Sequence, residues 1–218
     1  MIVAVFSDVH ANLPALEAFL AAVDGVADRY LCLGDIVNYG PWNDECLVRI
    51  MGLPYIEVVA GNHDRLFLSG LGLAEEAPLV QEFFHASHAN FTRVDLLRDL
   101  PNSIDLGPFR CQHTLRSERI FVDTEIEIDS DYLIGHSHWQ YSTRRGPWRL
   151  INPGSVGQNR ERIDTVDYAT YDTTADIVSL HRIPYDIFEL LAELRSRRWP
   201  DACVEYYERK LRDVHGTT

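Results

Sequence analysis

The chain has 218 residues, of which 46% are apolar and 24% charged, an ordinary globular composition that excludes disorder as the default. A chain of this length can build one sizeable core, and no linker or repeat divides it, so we expect one domain over residues 1–218. The formal charge of -13, from 20 basic and 33 acidic residues, repels long polyanions and argues against duplex nucleic acid as a partner.

The cysteines and the N-terminus bear on the compartment. The four cysteines form no C-x-x-C pair, which is typical of reduced, buried thiols; they are Cys32, Cys46, Cys111 and Cys203. The opening residues MIVAVFSDVH lack the basic region and cleavage site of a signal peptide and indicate a first strand instead. No apolar run approaches the roughly 20 residues that span a membrane. We therefore expect a cytoplasmic protein with no membrane partner.

The first third of the chain alternates strands with helices. The continuous apolar run over residues 2–6 is typical of a strand buried on both faces, and Asn12 is placed to cap the next helix. Further strands are predicted at residues 30–33 and 55–59, and the helix between them begins near Trp42. This β-α-β-α-β order predicts a parallel sheet with right-handed crossovers.

The rest of the chain is predicted to contain a helical region, then a region of short strands, then a second helical region. Apolar residues at helical spacing predict helices between residues 79 and 100. Short strands separated by turn residues come next, and we expect them at residues 104–106, 109–112, 132–134, 148–151, 168–171 and 177–180. Two helical segments interrupted by Pro200 complete the chain.

Five segments share one arrangement, in which a predicted strand ends and metal-ligand residue types come directly after it. They are FSDVH (Asp8, His10), LGD (Asp35), AGNHD (Asn62, His63, Asp64), CQHT (His113) and IGHSH (His136, His138). The loops at the carboxyl ends of strands in an open α/β sheet converge on one crevice, so these residues can meet there. Carboxylate, imidazole and amide oxygen without thiolate suit manganese, iron or zinc in an active site.

The side-chain directions within the AGNHD segment matter for its chemistry. Adjacent side chains diverge in an extended segment. With residues 62–63 extended and Asn62 facing a metal, we expect His63 to face the substrate.

The five segments in this order resemble the calcineurin-like metallophosphoesterase superfamily, whose signature is D-x-H, G-D, G-N-H-[DE], a lone His and G-H-x-H. The resemblance covers nearly the whole chain, and GDIVNYGP and NPGSVG resemble the small prokaryotic phosphodiesterase branch. It implies an α/β fold, a four-layer α-β-β-α sandwich in which two mixed β-sheets pack face to face and are flanked by helices.

By motif position, the resemblance implies two divalent metal ions, with manganese expected first and iron, zinc, nickel or magnesium as alternatives. Seven residues take the metal-ligand positions: Asp8, His10 and His138 on the first ion, Asn62, His113 and His136 on the second, and Asp35 bridging both. In the family, a water or hydroxide between the ions attacks phosphorus in line. His63 then assists the leaving group, and Asp64 orients His63.

Two further residues are predicted to contact the substrate. Where the branch places Ser-Pro-Arg after the lone histidine, this chain has LRSER, and we expect Arg116 of that loop to hold a substrate phosphate. The weaker candidates for the same role are Arg119, Arg160 and Arg162. Tyr39 closely follows Asp35 in the sequence, and we expect its side chain to line the substrate pocket.

The resulting expectation is a hydrolase that cleaves a phosphodiester in a small phosphorylated substrate. The runner-up is a phosphomonoesterase or a dinucleoside polyphosphate hydrolase, and a third hypothesis is a non-catalytic scaffold of the same fold. Protein phosphatases of the superfamily carry G-D-x-x-D-R-G, whereas this chain has GDIVNYG without the Asp-Arg pair. His63 and a complete ligand set argue against the scaffold. The sequence leaves homo-oligomerisation open.

Overall fold

The computed structural model describes residues 1–215, and within them ten strands form two five-stranded sheets. The first sheet has the order β10-β9-β1-β2-β3 and contains β1 (Ile2–Phe6), β2 (Arg29–Cys32), β3 (Ile56–Val58), β9 (Thr165–Asp172) and β10 (Ile177–Pro184). The second has the order β4-β5-β6-β8-β7 and contains β4 (Ser103–Leu106), β5 (Phe109–Gln112), β6 (Asp131–Leu133), β7 (Gln140–Arg145) and β8 (Trp148–Pro153).

The helices lie mostly in the first half of the chain and at its C-terminal end. They are α1 (Leu13–Val23), α2 (Asn43–Met51), α3 (Asn62–Ser69), α4 (Pro78–His88), α5 (Val94–Leu97), α6 (Ile187–Ser196) and α7 (Asp201–His215). The Asn12 side chain caps α1 by accepting from the Ala15 N–H, as the sequence predicted.

Each sheet mixes parallel and antiparallel neighbours. In the first sheet, β1, β2 and β3 are parallel, and β9 and β10 are antiparallel additions beside β1. In the second, β5, β6 and β8 are parallel, while β4 and β7 pair antiparallel at its two edges. The predicted β-α-β-α-β opening is confirmed, and its parallel strands carry their carboxyl ends to one edge of the sheet.

The main core lies between the two sheets. Apolar side chains from the facing strands meet there, including Val5, Leu31, Phe109, Leu133 and Ile151. The other face of the first sheet is covered by helices, since residues of α1, α2 and α3 pack with those of β1 and β2. The predicted fold of two mixed sheets packed face to face and flanked by helices is confirmed.

The outer face of the second sheet has a different cover. Ile120, Ile126 and Ile128 pack against Tyr132 and Leu150 of that sheet, from a segment without regular secondary structure. This irregular segment comes soon after His113, so the loop beyond the lone histidine is also part of the packing of the second sheet.

Two further observations concern the cysteines and the helices. All four cysteines are free and buried, as expected. Among residues 1–215, no helix has the length and apolar character needed to cross a membrane.

Candidate metal centre

The seven predicted metal-ligand residues lie in five loops at the carboxyl ends of strands. These loops come after β1, β2 and β3 in the first sheet and after β5 and β6 in the second. Side chains from the two sheets meet at these loops, His138 beside Asp8 and His113 beside Asp35, so both sets of loops open at the same end of the molecule. The seven side chains form two adjacent groups there.

The first group, called the inner group below, consists of Asp8, His10 and His138. The His138 Nε2 atom lies 3.2 Å from both Asp8 Oδ1 and His10 Nε2, and His10 Nε2 lies 3.8 Å from Asp8 Oδ1. All three residues are buried. Their ligand atoms therefore converge on one point that water reaches poorly.

The second group, called the outer group below, consists of Asp35, His113 and His136. The His113 Nε2 atom lies 3.1 Å from Asp35 Oδ2 and 3.3 Å from His136 Nδ1. It also lies 3.0 Å from Oδ1 of Asn62, which adds an amide oxygen to this group. Asn62 is exposed and His136 is half-buried, so the outer group opens to solvent.

Backbone carbonyls fix three of the four histidines. The Nδ1–H groups of His10, His113 and His138 donate to the carbonyls of Val37, Leu33 and Gln158, over 3.1, 2.8 and 2.8 Å respectively. With the proton on Nδ1, the Nε2 of each ring in its neutral form presents a lone pair to its group. This is the arrangement that holds metal-binding histidines in one tautomer and one orientation.

The donor set fits divalent cations. Asp8 Oδ1 and Asp35 Oδ2 are buried, and within residues 1–215 neither accepts a hydrogen bond. The Nε2 lone pairs of His10 and His138 face each other across 3.2 Å. Buried carboxylate oxygens without donors and opposed lone pairs are both costly, and a cation between them removes both costs. Two such groups give two candidate sites for divalent metals.

The pKa values of the site depend on burial and on the two carboxylates. Burial lowers the pKa of His10 to about 3 and that of His136 to about 4, so both imidazoles are neutral. Burial raises the pKa of the Asp8 carboxyl to about 7. Although burial opposes it, the negative charges of Asp35 and Asp8 raise the pKa of His113 to about 10. The carboxylates thus attract positive charge, which a proton or a metal ion supplies.

The backbone at the ligand positions is unusual. Five of these residues adopt the left-handed conformation, with φ of 54° at Asp8, 50° at His10, 54° at Asp35, 67° at His136 and 60° at His138. Each such residue costs of order 1–3 kcal/mol and persists only because its surroundings enforce it. Ala11, where the branch has glycine, is also left-handed, with φ of 50°.

Two glycines allow the chain to approach the carboxylates. A Cβ atom at Gly61 would overlap the Asp35 carboxylate, and one at Gly135 would overlap Ser7 Oγ. Both glycines stand directly before predicted ligands in the sequence. The glycine of GNHD and that of GHSH are therefore required by close packing against the site.

His63 lies beside both groups without belonging to either. Its ring is buried and stands edge-on to the rings of His10 and Tyr39, with centroids 5.2 and 5.1 Å away. The expectation of an extended segment here was wrong, because α3 begins at Asn62 and includes His63. The two side chains still diverge, since neighbours on a helix also point in different directions.

Asn38 determines which nitrogen of His63 carries a proton. The Tyr39 N–H donates to Asn38 Oδ1 over 2.8 Å, which leaves the Asn38 Nδ2–H to donate to His63 Nδ1 over 3.0 Å. His63 Nδ1 is therefore an acceptor, and the proton of the neutral ring resides on Nε2. No motif in the sequence indicated this role, although Asn38 occupies the position of Asp in the phosphatase motif.

Asp64 has partners other than the one we predicted. Its carboxylate accepts from the backbone N–H groups of Asp35, Ile36 and Gly61 at 2.9, 2.9 and 2.8 Å. It therefore fixes the loop that carries Asp35 and the start of α3, while Asn38 contacts His63. An acidic residue two positions after the asparagine of GNHD is placed to cap the helix that begins there.

The predicted substrate residues lie in different surroundings. Tyr39 is buried against His10 and His63 and so forms part of the wall beside both groups. Arg116 is exposed, and its guanidinium donates over 3.5 Å to the Glu127 carbonyl in the irregular segment. Arg119, a weaker candidate for the same role, is exposed in the same loop. Contact of either arginine with substrate stays a prediction.

The sequence and fold have clear relatives. Residues 1–176 match the calcineurin-like phosphoesterase superfamily domain. An uncharacterized protein of Methanocaldococcus jannaschii is 26% identical over 234 residues, which cover 91% of this chain and 94% of that protein. The crystal structure of a metallophosphoesterase from Sphaerobacter thermophilus is 27% identical, with a TM-score of 0.80 over 95% of this chain and 99% of that one.

A third similar structure is that of a hypothetical protein from Pyrococcus horikoshii, at 17% identity. Its TM-score is also 0.80, over 94% of this chain and 97% of that one. The fold and the two groups of ligand side chains define a metallophosphoesterase. The chain belongs to the calcineurin-like phosphoesterase superfamily, a family of metal-dependent phosphoric ester hydrolases.

Proposed function

We propose that the chain, as one domain over residues 1–218, is a dinuclear metal-dependent phosphodiesterase that prefers manganese. The observation that carries the proposal is the pair of adjacent groups whose buried carboxylate oxygens lack hydrogen-bond donors. The inner group would hold one ion, and the outer group with Asn62 would hold the other. Asp35 would bridge them, as its motif position implies: its carboxylate lies in the outer group, 3.1 Å from His113 Nε2, and its negative charge also acts against the lowering of the His10 pKa by burial.

The bound ions would supply a nucleophilic water at neutral pH and neutralise the phosphate oxygens. The chain's own residues position the substrate around them. The backbone N–H groups of His136 and His63 donate to the carboxylates of Asp8 and Asp35, and carbonyls fix three of the imidazoles, so little reorganisation accompanies the reaction. The attacking oxygen forms a new bond to phosphorus while the bond to the leaving oxygen breaks on the opposite side.

His63 is the group we assign to the leaving oxygen. Its Nε2–H is the donor, because the Asn38 side chain donates a hydrogen bond to Nδ1. Burial lowers the pKa of His63, so the ring is neutral before the reaction. Its proton passes towards the leaving oxygen as negative charge develops there, which is the role of a positioned general acid.

The choice of diester over monoester depends on the loop after Asp35. In protein phosphatases of the superfamily this loop has an Asp-Arg pair, and here Asn38 and Tyr39 take those positions. A buried tyrosine ring supplies no positive charge for the dianion of a monoester, whereas it suits the single charge of a diester. An archaeal phosphodiesterase shares the fold at 14% identity.

Turnover of matched aryl substrates tests the proposal. Purified protein is loaded with Mn²⁺ and given an aryl phosphodiester and the corresponding monoester. We expect the diester to be cleaved with the higher kcat/KM, and duplex DNA to be cleaved little because of the chain's charge. A preference for the monoester would assign the protein to the runner-up class. Turnover of neither by metal-loaded protein would favour the scaffold.

A further inference from the structure

The C-terminal helix α7 forms part of the wall beside the metal centre, although it lies beyond the family match at residues 1–176. The Tyr206 ring of α7 packs against Phe83 with centroids 5.6 Å apart, and Phe83 packs against Tyr39 at 4.8 Å. Tyr39 in turn stands edge-on to His10 at 4.9 Å. A continuous row of rings thus connects α7 to the inner group.

Arg160 stands between α7 and the inner group. It lies two residues after Gln158, and the Gln158 carbonyl is the acceptor that fixes His138. The Arg160 Nη1–H donates to the Tyr206 hydroxyl oxygen over 2.8 Å. Since that oxygen acts as an acceptor, the hydroxyl proton of Tyr206 is free to be donated elsewhere.

The charge of Arg160 has no carboxylate partner. In the part of the chain that the structure describes, Arg160 forms no salt bridge, whereas neighbouring Arg162 pairs with Asp164, and Arg182 with Asp167. A half-buried guanidinium left unpaired in a chain with a charge of -13 needs a reason. An anion that binds to Arg160 only transiently would explain why this side chain has no carboxylate partner.

Lys210 adds a second cation at the same place. It lies one helical turn after Tyr206 on α7 and therefore on the same helix face. It is half-buried and likewise forms no salt bridge within residues 1–215. Burial and then the charge of Arg160 lower the pKa of Lys210.

We propose that Arg160, Tyr206 and Lys210 form a phosphate-binding subsite beside the inner group, which takes a phosphoryl oxyanion of the substrate. This inference rests on the proposed function and assigns its substrate contacts. A guanidinium fork, a hydroxyl and an ammonium group supply several donors and two positive charges, which suit phosphate oxygens. Arg160 and Lys210 contact the anion, and Tyr206 also acts as a positioning residue that orients Arg160.

Binding of inorganic phosphate tests the subsite independently of turnover. Calorimetry with Mn²⁺-loaded protein compares the wild type with Arg160→Ala, Tyr206→Phe and Lys210→Ala, and Arg162→Ala is the matched control from the same loop. We expect phosphate affinity to fall roughly tenfold in Arg160→Ala and about threefold in each of the other two, with the control unchanged. Tyr206→Phe keeps the buried ring, so its fold should be preserved.

Kinetics with two diesters identify which phosphate the subsite binds. One aryl diester carries a single phosphate, and the other carries an additional terminal phosphate. If Arg160→Ala raises KM for both substrates and changes kcat by no more than about twofold, the subsite binds the scissile phosphate. If KM rises for the second substrate alone, the subsite binds the additional phosphate. In either case Tyr206→Phe should show a smaller rise of the same pattern.

The outcomes separate this inference from the proposed function. Phosphate affinity that is the same in Arg160→Ala and in Arg162→Ala, in variants that melt like the wild type, overturns the subsite. So does a wild type that binds no phosphate. Phosphate binding that depends on Arg160 in a protein unable to cleave any diester overturns the proposed function and leaves the subsite in place.

Discussion

The inner and outer groups contain the same kinds of ligand but are supported differently. In the inner group both histidines are buried and both donate to backbone carbonyls. In the outer group only His113 has such a carbonyl partner, and His136 is half-buried. Asn62, which contacts the outer group, is exposed.

This difference predicts that the inner group has the higher affinity for metal and that the outer group is the more accessible from solvent. Backbone-fixed ligands lose little freedom when they bind a cation, so the inner group should hold its ion more tightly. The outer group has a solvent-facing side, through which we expect an ion to exchange and a substrate to enter. We therefore expect one firmly held ion and one exchangeable ion. In the proposed arrangement Asp35 bridges the two ions, and His63 binds neither.

The largest expected effect comes from removing the shared carboxylate. Asp35→Asn should lower the metal content from two ions per chain to one or none, because a neutral amide offsets far less cation charge. Activity should fall by roughly 10⁴-fold or more, the loss of several kcal/mol of charge stabilisation. Elemental analysis and kcat on the same sample measure this. A stoichiometry of one in both wild type and variant would contradict the bridged pair.

His63→Ala should affect the rate and leave both ions in place. We expect kcat to fall by roughly 10²–10⁴-fold, the usual contribution of a positioned acid–base group. The loss should shrink for substrates with good leaving groups, which need less protonation. Metal content and melting temperature serve as controls. An unchanged kcat in metal-loaded variant protein would remove His63 from the mechanism.

The comparison of the groups is tested directly by His10→Ala and His136→Ala. Both should weaken binding of one Mn²⁺ ion, by roughly 10–100-fold for His136 and by more for the backbone-fixed His10. Excess metal should therefore restore activity to His136→Ala and not to His10→Ala. Manganese titrations of both variants give the two affinities. Equal rescue of the two would show that the carbonyl contacts contribute little.

Chelation of the wild type should produce the smallest effect on the fold, a loss of stability in two steps. Each ion at about 100 times its dissociation constant stabilises the fold by about 2.7 kcal/mol, which corresponds to roughly 5–10 °C in melting temperature for a chain of this size. A gradual increase in chelator should remove the outer ion first and abolish activity before most of that stability is lost. Asp35→Asn is the control and should respond less. Simultaneous loss of activity and stability would contradict unequal affinities.

Much of this site could be predicted from the sequence because its residues stand at the ends of strands. An apolar run fixes the position of a strand, and the topology of an α/β sheet brings together the loops at the strand ends. Asp8, Asp35 and His136 could therefore be placed together without coordinates. The start of α3 was missed because GNHD gives no periodic signal over two residues. The signal that the sequence did contain is the acidic residue Asp64, which accepts hydrogen bonds from the backbone N–H groups of Asp35 and Gly61 at the start of that helix.

The substrate side could not be predicted in the same way. Arg160 and Tyr206 are far apart in sequence, and neither has a local pattern that points to the other. Among the arginines near the site, the sequence favoured Arg116 for its position after the lone histidine. Which arginine faces the ions depends on how the irregular segment and α7 pack, and long-range packing leaves no signature in a single sequence.

The left-handed backbone at the ligand positions has a consequence for how such a protein can evolve. Aspartate, asparagine and histidine are the residues, after glycine, that best tolerate positive φ, and they are also the residues that bind these metals. Drift among these three types, such as Asp to Asn, would preserve the shape of every loop while abolishing the ligand. Backbone strain therefore excludes β-branched replacements at Asp8 or His138. It does not exclude substitutions that keep the loop shape and remove metal binding. A lineage can in this way keep the architecture, lose catalysis in one step and put the same surface to another use.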